Sequence, residues 1–288
     1  HVISSRSLFG TTVGFINNIV TKFGIEVSHV SPTDVDEWKA AVKANTKLLF
    51  LETPSNPLGE VADLEALAEL AHSIGALLVV DNSLLSPVGS QPLKHGADIS
   101  VSSATKAIDG HGRVMGGVLA GSEELMTQVA VYCNSCGLAM SPFNAWQLLS
   151  GVETLSLRME KQFDNALKIA QWLQAQPQVQ AVYYTGLPAH PQAELIRKQQ
   201  NGGGIVIGFE VADTDAAWKI VDSVELFSRT ANLGDVRSTI THPWTTTHGR
   251  MQPEEKLAAN IRPGLVRLSV GLEYVDDLID DLKQALAR

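Results

Sequence analysis

The first half of the chain alternates short apolar runs with a segment of helical period, the pattern of a mostly parallel sheet covered by helices on both faces. Lys47-Leu48-Leu49-Phe50-Leu51 reads as a strand that stops at Glu52-Thr53-Pro54-Ser55-Asn56-Pro57, because proline has no N–H to give to a ladder. A helix follows, with Asp63 as its N-cap, Leu64, Leu67, Ala68, Ala71 and Ile74 on one face, and Gly75 as its stop. Residues 76–80 form a second buried strand that ends at Asp81. Residues 99–102 form a third, running into Ser103-Ala104-Thr105-Lys106. Ligands of such sheets sit beyond the carboxyl ends of the strands. Asn56, Asp81 and the segment 103–106 are therefore expected to meet in one place.

The second half has a different texture. Ser141-Pro142 opens a helical stretch that runs through Trp146, Leu149, Val152, Phe163 and Ile169 to Trp172, too long for one ordinary helix and placed to bridge two domains. Beyond Pro177, short strands and helices interleave at 179–184, 204–211, 216–221 and 265–270 before a final helix from about Val275. The expected organisation is a large α/β domain over residues 1–150 and a smaller α+β C-terminal domain over 151–288 that includes the bridging helix. At 288 residues the chain can enclose such cores without disulfides. It opens at His1 without a methionine, and Val2-Ile3-Ser4-Ser5 reads as the end of a strand, so the expectation is a sequence that begins part-way through a domain.

Charge and cysteine usage narrow the partners. The 31 acidic and 22 basic residues give a net charge of −9, with no basic cluster for a nucleic acid or an anionic membrane. No apolar run reaches the roughly 18 residues that span a bilayer, and the N-terminus lacks secretory features, so a cytoplasmic location is expected. Cys133 and Cys136 have redox or half-zinc spacing without a second ligand pair, and read as incidental.

Lys106 stands just past a buried strand among Ser103, Thr105, Gly110, Gly112, Gly116 and Gly117. Desolvation at such a rim lowers an amine's pKa and suits it to covalent or proton-transfer chemistry; an ordinary solvated loop lysine is the plainer reading. Asp81 leaves the sheet at the same edge, either to hold a cationic ring nitrogen or to cap the turn at Asn82 and Ser83. Arg267, in Leu265-Val266-Arg267-Leu268-Ser269, shares a strand face with Leu265 and Ser269 and needs an anionic partner, either a ligand carboxylate or an acid of the chain. The polar stretch from His242 to Arg250 is equally an exposed connection or a functional loop. Gly110-His111-Gly112-Arg113 lacks the glycine order of a dinucleotide site, which disfavours a nicotinamide-dependent dehydrogenase.

Taken in order, Glu52-Thr53-Pro54-Ser55-Asn56-Pro57, Val80-Asp81-Asn82, Ser103-Ala104-Thr105-Lys106, Gly151-Val152-Glu153-Thr154-Leu155, Leu233-Gly234-Asp235 with His242-Pro243, and Arg267-Leu268-Ser269-Val270-Gly271-Leu272-Glu273 resemble the Cys/Met-metabolism family of pyridoxal-phosphate enzymes. The resemblance covers essentially the whole chain. It implies the fold-type I architecture and active sites shared across a dimer within a homotetramer. It implies that Lys106 bonds to the cofactor aldehyde, that Asp81 holds the ring nitrogen, and that Ser103 and Thr105 bind the phosphate. Asn56 is expected near the ring hydroxyl, with Arg267 and Asn232 on the substrate side. Where most of the family stacks a tyrosine on the ring, this chain has Phe9, which keeps the face and loses the hydroxyl. The family's glycine-containing phosphate loop, and the Tyr and Arg lent by a neighbouring subunit, are expected to precede His1.

Within the family, Ser5-Arg6-Ser7-Leu8-Phe9-Gly10, Asn232-Leu233-Gly234-Asp235 and the segment 243–250 most resemble the O-succinylhomoserine sulfhydrylase branch. The implied reaction, a step in methionine biosynthesis, is γ-replacement, in which succinate leaves Cγ of an activated homoserine and sulfide takes its place to give homocysteine. Cystathionine γ-synthase or γ-lyase activity, and a cofactor-binding chain without activity, are the alternatives.

Overall fold

The computed structural model describes all of residues 1–288 and resolves them into two sheets. The first contains β1 (Val2–Ser5), β2 (Val27–Val30), β3 (Leu48–Glu52), β4 (Leu77–Asp81), β5 (Ile99–Ser103) and β6 (Gly117–Gly121) in the order β2-β1-β3-β4-β5-β6. The five strands from β2 to β5 run parallel, and β6 closes the edge antiparallel to β5. Trp38, Leu49, Leu51, Leu64, Leu67, Leu78 and Val80 fill the core on the side of the helix Leu64–Ser73. Asp63 caps that helix through the Ala66 N–H, and Gly75 follows it in the left-handed region, as expected.

The strand ends move slightly from the sequence expectation. Glu52, Asp81 and Ser103 all lie inside the ladder, with Glu52 opposite Asp81 and Asp81 opposite Val101. Charge at Glu52 hides its strand character from a reading based on hydrophobicity. The helices Gly10–Asn18 and Glu123–Cys136 and the strand β6 were not anticipated either. The Glu123–Cys136 helix buries none of its residues and β6 exposes four of its five, so neither carries an apolar stripe to read.

The second sheet contains β7 (Ala181–Tyr183), β8 (Val206–Glu210), β9 (Ser228–Arg229), β10 (Thr239–Thr241) and β11 (Leu265–Ser269) in the order β7-β8-β11-β10-β9. Its neighbours pair antiparallel except for β9 and β10. The helices Thr214–Ser223 and Val275–Leu286 cover it, burying Ile220, Val221, Leu278 and Leu282 against Phe209, Val266 and Leu268.

The long helical stretch breaks into Pro142–Val152 and Leu155–Gln174. At the break Gly151 lies so close to the backbone beyond Lys106 that an added Cβ would come within 2.3 Å of the Ile108 oxygen. The second helix then serves both cores. Met159 and Phe163 pack with Ala104, Ala107 and Ile108, whereas Ala166, Ile169, Ala170 and Leu173 join the core of the second sheet. No helix is long and apolar enough to cross a membrane.

Arg158, buried on that helix, donates to the carbonyls of Ala107 (2.7 Å), Ile108 (3.1 Å) and Gly151 (2.7 Å). A buried carbonyl deprived of its donor loses its share of solvation, at about 1–3 kcal/mol per group. Arg158→Met is therefore expected to destabilise the fold by about 3 kcal/mol or more in denaturant titration. A change of only a few tenths would show that these bonds do not anchor the segment.

Candidate active site

The ends of β3, β4 and β5 deliver their residues side by side, as the alternation in the sequence predicts. Asp81 accepts from the Ser83 N–H (2.9 Å) and hydroxyl (2.6 Å) through Oδ1, so the turn-capping reading of this residue holds for one oxygen. Its Oδ2 has no partner in the chain. Burial raises the Asp81 carboxyl pKa, and the Ser83 bonds act against that rise. Ser83 also accepts from the Ser103 N–H at 2.7 Å, which ties the ends of β4 and β5 together.

Past Ser103 the backbone enters one wide helical turn, Ala104–Ile108, and Lys106 departs from helical geometry there with φ −87° and ψ −126°. The Ser103 hydroxyl is unengaged, whereas Thr105 Oγ1 is bonded to the Gly116 N–H (3.0 Å) and carbonyl (3.3 Å). Lys106 Nζ donates to Asn232 Oδ1 at 2.9 Å. Burial lowers its pKa, and the nearby Arg267 guanidinium adds to the effect. The loop carrying Asn232 presses on this turn. Gly234 has φ +79°, and a Cβ there would meet the Ala107 nitrogen at 2.8 Å and Lys106 Cβ at 2.9 Å, so glycine is required twice over.

Arg267 lies in β11 with 2% of its surface exposed and forms no ion pair with any carboxylate of the chain. Nη2 donates to the carbonyls of Ala231 (2.7 Å) and Asn232 (3.2 Å), Nη1 makes a long contact with Asn56 Oδ1 (3.4 Å), and Nε has no partner. Burial pulls its pKa down to about 10. The alternative of a structural salt bridge is thereby removed, and the sequence-predicted Asn56, Lys106, Asn232 and Arg267 form one connected group. His248, from the loop whose role the sequence left open, stands close enough to Arg267 and Lys256 that their charges join burial in pushing its pKa down to about 4. Phe9 is 55% exposed and begins the helix Gly10–Asn18.

Sequence reading missed Glu52 and assigned Ser83 only a turn. Glu52 is buried, and its Oε2 accepts from the Phe9 N–H at 2.9 Å. Burial first, and then the adjacent Asp81 charge, push its pKa up to about 8. An acid whose folded pKa is raised holds its proton more tightly folded than unfolded, so its contribution is complete below the ordinary value and is lost as pH rises through the folded one. Thermal stability is therefore expected to fall as pH rises from 4.5 to about 8, and Glu52→Gln to flatten that fall. An unchanged slope in the variant would show that Glu52 titrates normally.

A family model described as Cys/Met metabolism PLP-dependent enzyme matches residues 1–287. The O-succinylhomoserine sulfhydrylase of Pseudomonas aeruginosa is 50% identical over 288 residues, covering 100% of this chain and 72% of that protein. The L-methionine gamma-lyase of Porphyromonas gingivalis is 41% identical over 290 residues, covering 99% of this chain and 73% of that protein. Among solved structures, cystathionine gamma-lyase from Lactobacillus plantarum complexed with L-serine superimposes with a TM-score of 0.96 at 33% identity, over 100% of this chain and 76% of that one. With the fold, the strand-end constellation and these likenesses in agreement, the chain belongs to the pyridoxal-phosphate-dependent enzymes of Cys/Met metabolism.

Proposed function

We propose that this chain catalyses γ-replacement on an activated homoserine, taking O-succinylhomoserine and sulfide to homocysteine and succinate. The observation that carries the reading is Arg267, a wholly buried guanidinium without a carboxylate partner, beside the desolvated amine of Lys106. Such an arginine calls for an anionic ligand held by two parallel bonds, and an amino-acid carboxylate has that shape. The 50% identity to an O-succinylhomoserine sulfhydrylase supports that branch.

The residues present fit the cofactor. Asp81 keeps one carboxylate oxygen without a partner, Ser103 keeps a free hydroxyl, and Lys106 offers an amine, all at adjacent strand ends. When bound, pyridoxal phosphate supplies an electron sink for negative charge at the substrate carbons. Asp81 would face its ring nitrogen, Ser103 and Thr105 its phosphate, Asn56 its ring hydroxyl, and Phe9 its face. Arg267 binds and orients the substrate carboxylate, with Asn232 beside it. Lys106, its pKa lowered, takes the proton from Cα as a general base and returns it later. Phe9 has no hydroxyl, so that proton traffic falls to Lys106 alone.

We also propose that the chain works as a homo-oligomer, as the family resemblance implies. Phe143, Trp146, Leu149 and Val152 line one side of the helix Pro142–Val152, and each is more than half exposed. A second copy of the chain would cover such a stripe.

Product analysis tests the reaction. Offered O-succinylhomoserine or O-acetylhomoserine with sulfide or cysteine, the loaded enzyme is expected to form homocysteine fastest from the succinyl ester and sulfide. Cystathionine as the main product would favour the synthase reading, and an oxoacid with ammonia the lyase reading. Lys106→Ala is expected to lose borohydride-trappable attachment of pyridoxal phosphate while keeping its fold by circular dichroism. Attachment that survives the change would remove Lys106 from its role.

A further inference from the structure

Phe9 has an unusual support for a residue expected to stack on a ring. Its side chain is 55% exposed and packs on no other aromatic ring, so burial does not set its position. Its backbone does. Phe9 O accepts from the Thr12 and Val13 N–H groups, which starts the helix Gly10–Asn18. Phe9's own N–H points away from that helix and ends on Glu52 Oε2 at 2.9 Å. The preceding residues are tethered as well, Ser7 N–H to Ser5 Oγ (3.1 Å) and Ser7 Oγ to Glu60 (3.2 Å). Of these tethers, only Glu52 reaches Phe9 itself.

Glu52 is well placed to act as a fixed post. It ends β3, between β1 and β4 in the sheet, and 6% of its surface is exposed. Its register partner is Asp81, the carboxylate at the end of the next strand. A carboxyl buried at that point is costly unless it is bonded and neutral, and the Phe9 N–H is the one hydrogen bond it makes in the chain.

We propose that Glu52 is a positioning residue that fixes Phe9 against the cofactor ring through this backbone bond, a role that rests on the reading of Phe9 as the stacking residue. The bond runs from a rigid strand end to the N-cap of a helix, so it sets the ring's height above the strand end next to the one that carries Asp81. Burial, and then the Asp81 charge, keep Glu52 protonated near neutral pH, so Glu52 holds Phe9 without adding a second carboxylate charge beside Asp81. Glutamine at this position can still accept the bond and stay neutral; methionine of similar length can do neither.

The test uses the full chain and reads cofactor binding rather than turnover. Equilibrium dialysis against graded pyridoxal phosphate, with the visible circular dichroism of the bound cofactor, is measured for the parent, Glu52→Met, Glu52→Gln, Phe9→Ala and the Glu52→Met/Phe9→Ala double variant. Losing one positioned hydrogen bond is expected to weaken binding by about tenfold in Glu52→Met and to shrink the dichroic band. Glu52→Gln should stay within about twofold of the parent, and the double variant should bind no worse than Phe9→Ala alone. Losses that multiply in the double variant, or a Glu52→Gln as weak as Glu52→Met, would overturn the proposal while leaving Phe9 as a stacking residue. A Phe9→Ala that binds like the parent would instead remove the stacking reading and the Glu52 role with it. Amide hydrogen exchange gives an answer even where Glu52→Met fails to fold. The Phe9 N–H should be protected in the parent and in Glu52→Gln, and free exchange in the parent would refute the bond.

Discussion

The contact on which the site depends is that of the Asn232–Asp235 loop against the backbone of Lys106. Gly234 comes so close to Lys106 Cβ and the Ala107 nitrogen that no side chain could intervene, and its N–H donates to Ser269 on the second sheet at 3.0 Å. This one approach brings a strand end of the first sheet to β11, the strand of the second that carries Arg267. Gln162, from the helix that serves both cores, bonds the carbonyls of Asp235 (3.0 Å) and Val270 (2.8 Å) and holds the loop from behind. The Lys106 turn is therefore clamped between Arg158 on one side and Gly234, in the loop that Gln162 holds, on the other. Its departure from helical geometry persists because its surroundings leave no alternative.

Electrostatically the site is divided. Carboxyls gather at the ends of β3 and β4, where burial raises both pKa values and the Asp81 charge adds to the rise at Glu52, leaving Glu52 neutral near neutral pH. Cations gather around Arg267, whose own pKa burial lowers, and its charge adds to burial in lowering those of Lys106 and His248. Each group favours a ligand charge of the sign its residues lack, positive beside Asp81 and negative beside Arg267. Had Arg267 been paired with an acid of the chain, that polarity would be cancelled.

Much of this was legible in the sequence. Apolar runs identified β3 and β4, since buried parallel strands are close to continuously apolar, whereas β5, with the sequence Ile-Ser-Val-Ser-Ser, was read from the Lys94–Asp98 turn before it. The residues just beyond them were then expected together, and Asp81, Ser103 and Lys106 do stand at adjacent strand ends. Arg267 was conspicuous because a guanidinium in an apolar strand demands a partner. Elements without that apolar signal stayed hidden. The exposed strand β6 and the Glu123–Cys136 helix have no buried stripe, and Glu52 looks like the start of a turn because it is charged.

What the sequence by itself determined is the set of reactive groups and the order in which a parallel sheet would present them, because hydrophobic period and the backbone limits of proline and glycine are local properties. Tertiary structure alone decided how those groups bear on one another. That Arg267 lacks an acid partner, that Glu52 shares a register with Asp81 and reaches Phe9, and that Asn232 meets Lys106 across 126 positions of chain are matters of distance and burial. Electrostatic and hydrogen-bond energies depend on those quantities, and a sequence specifies them only once it has folded.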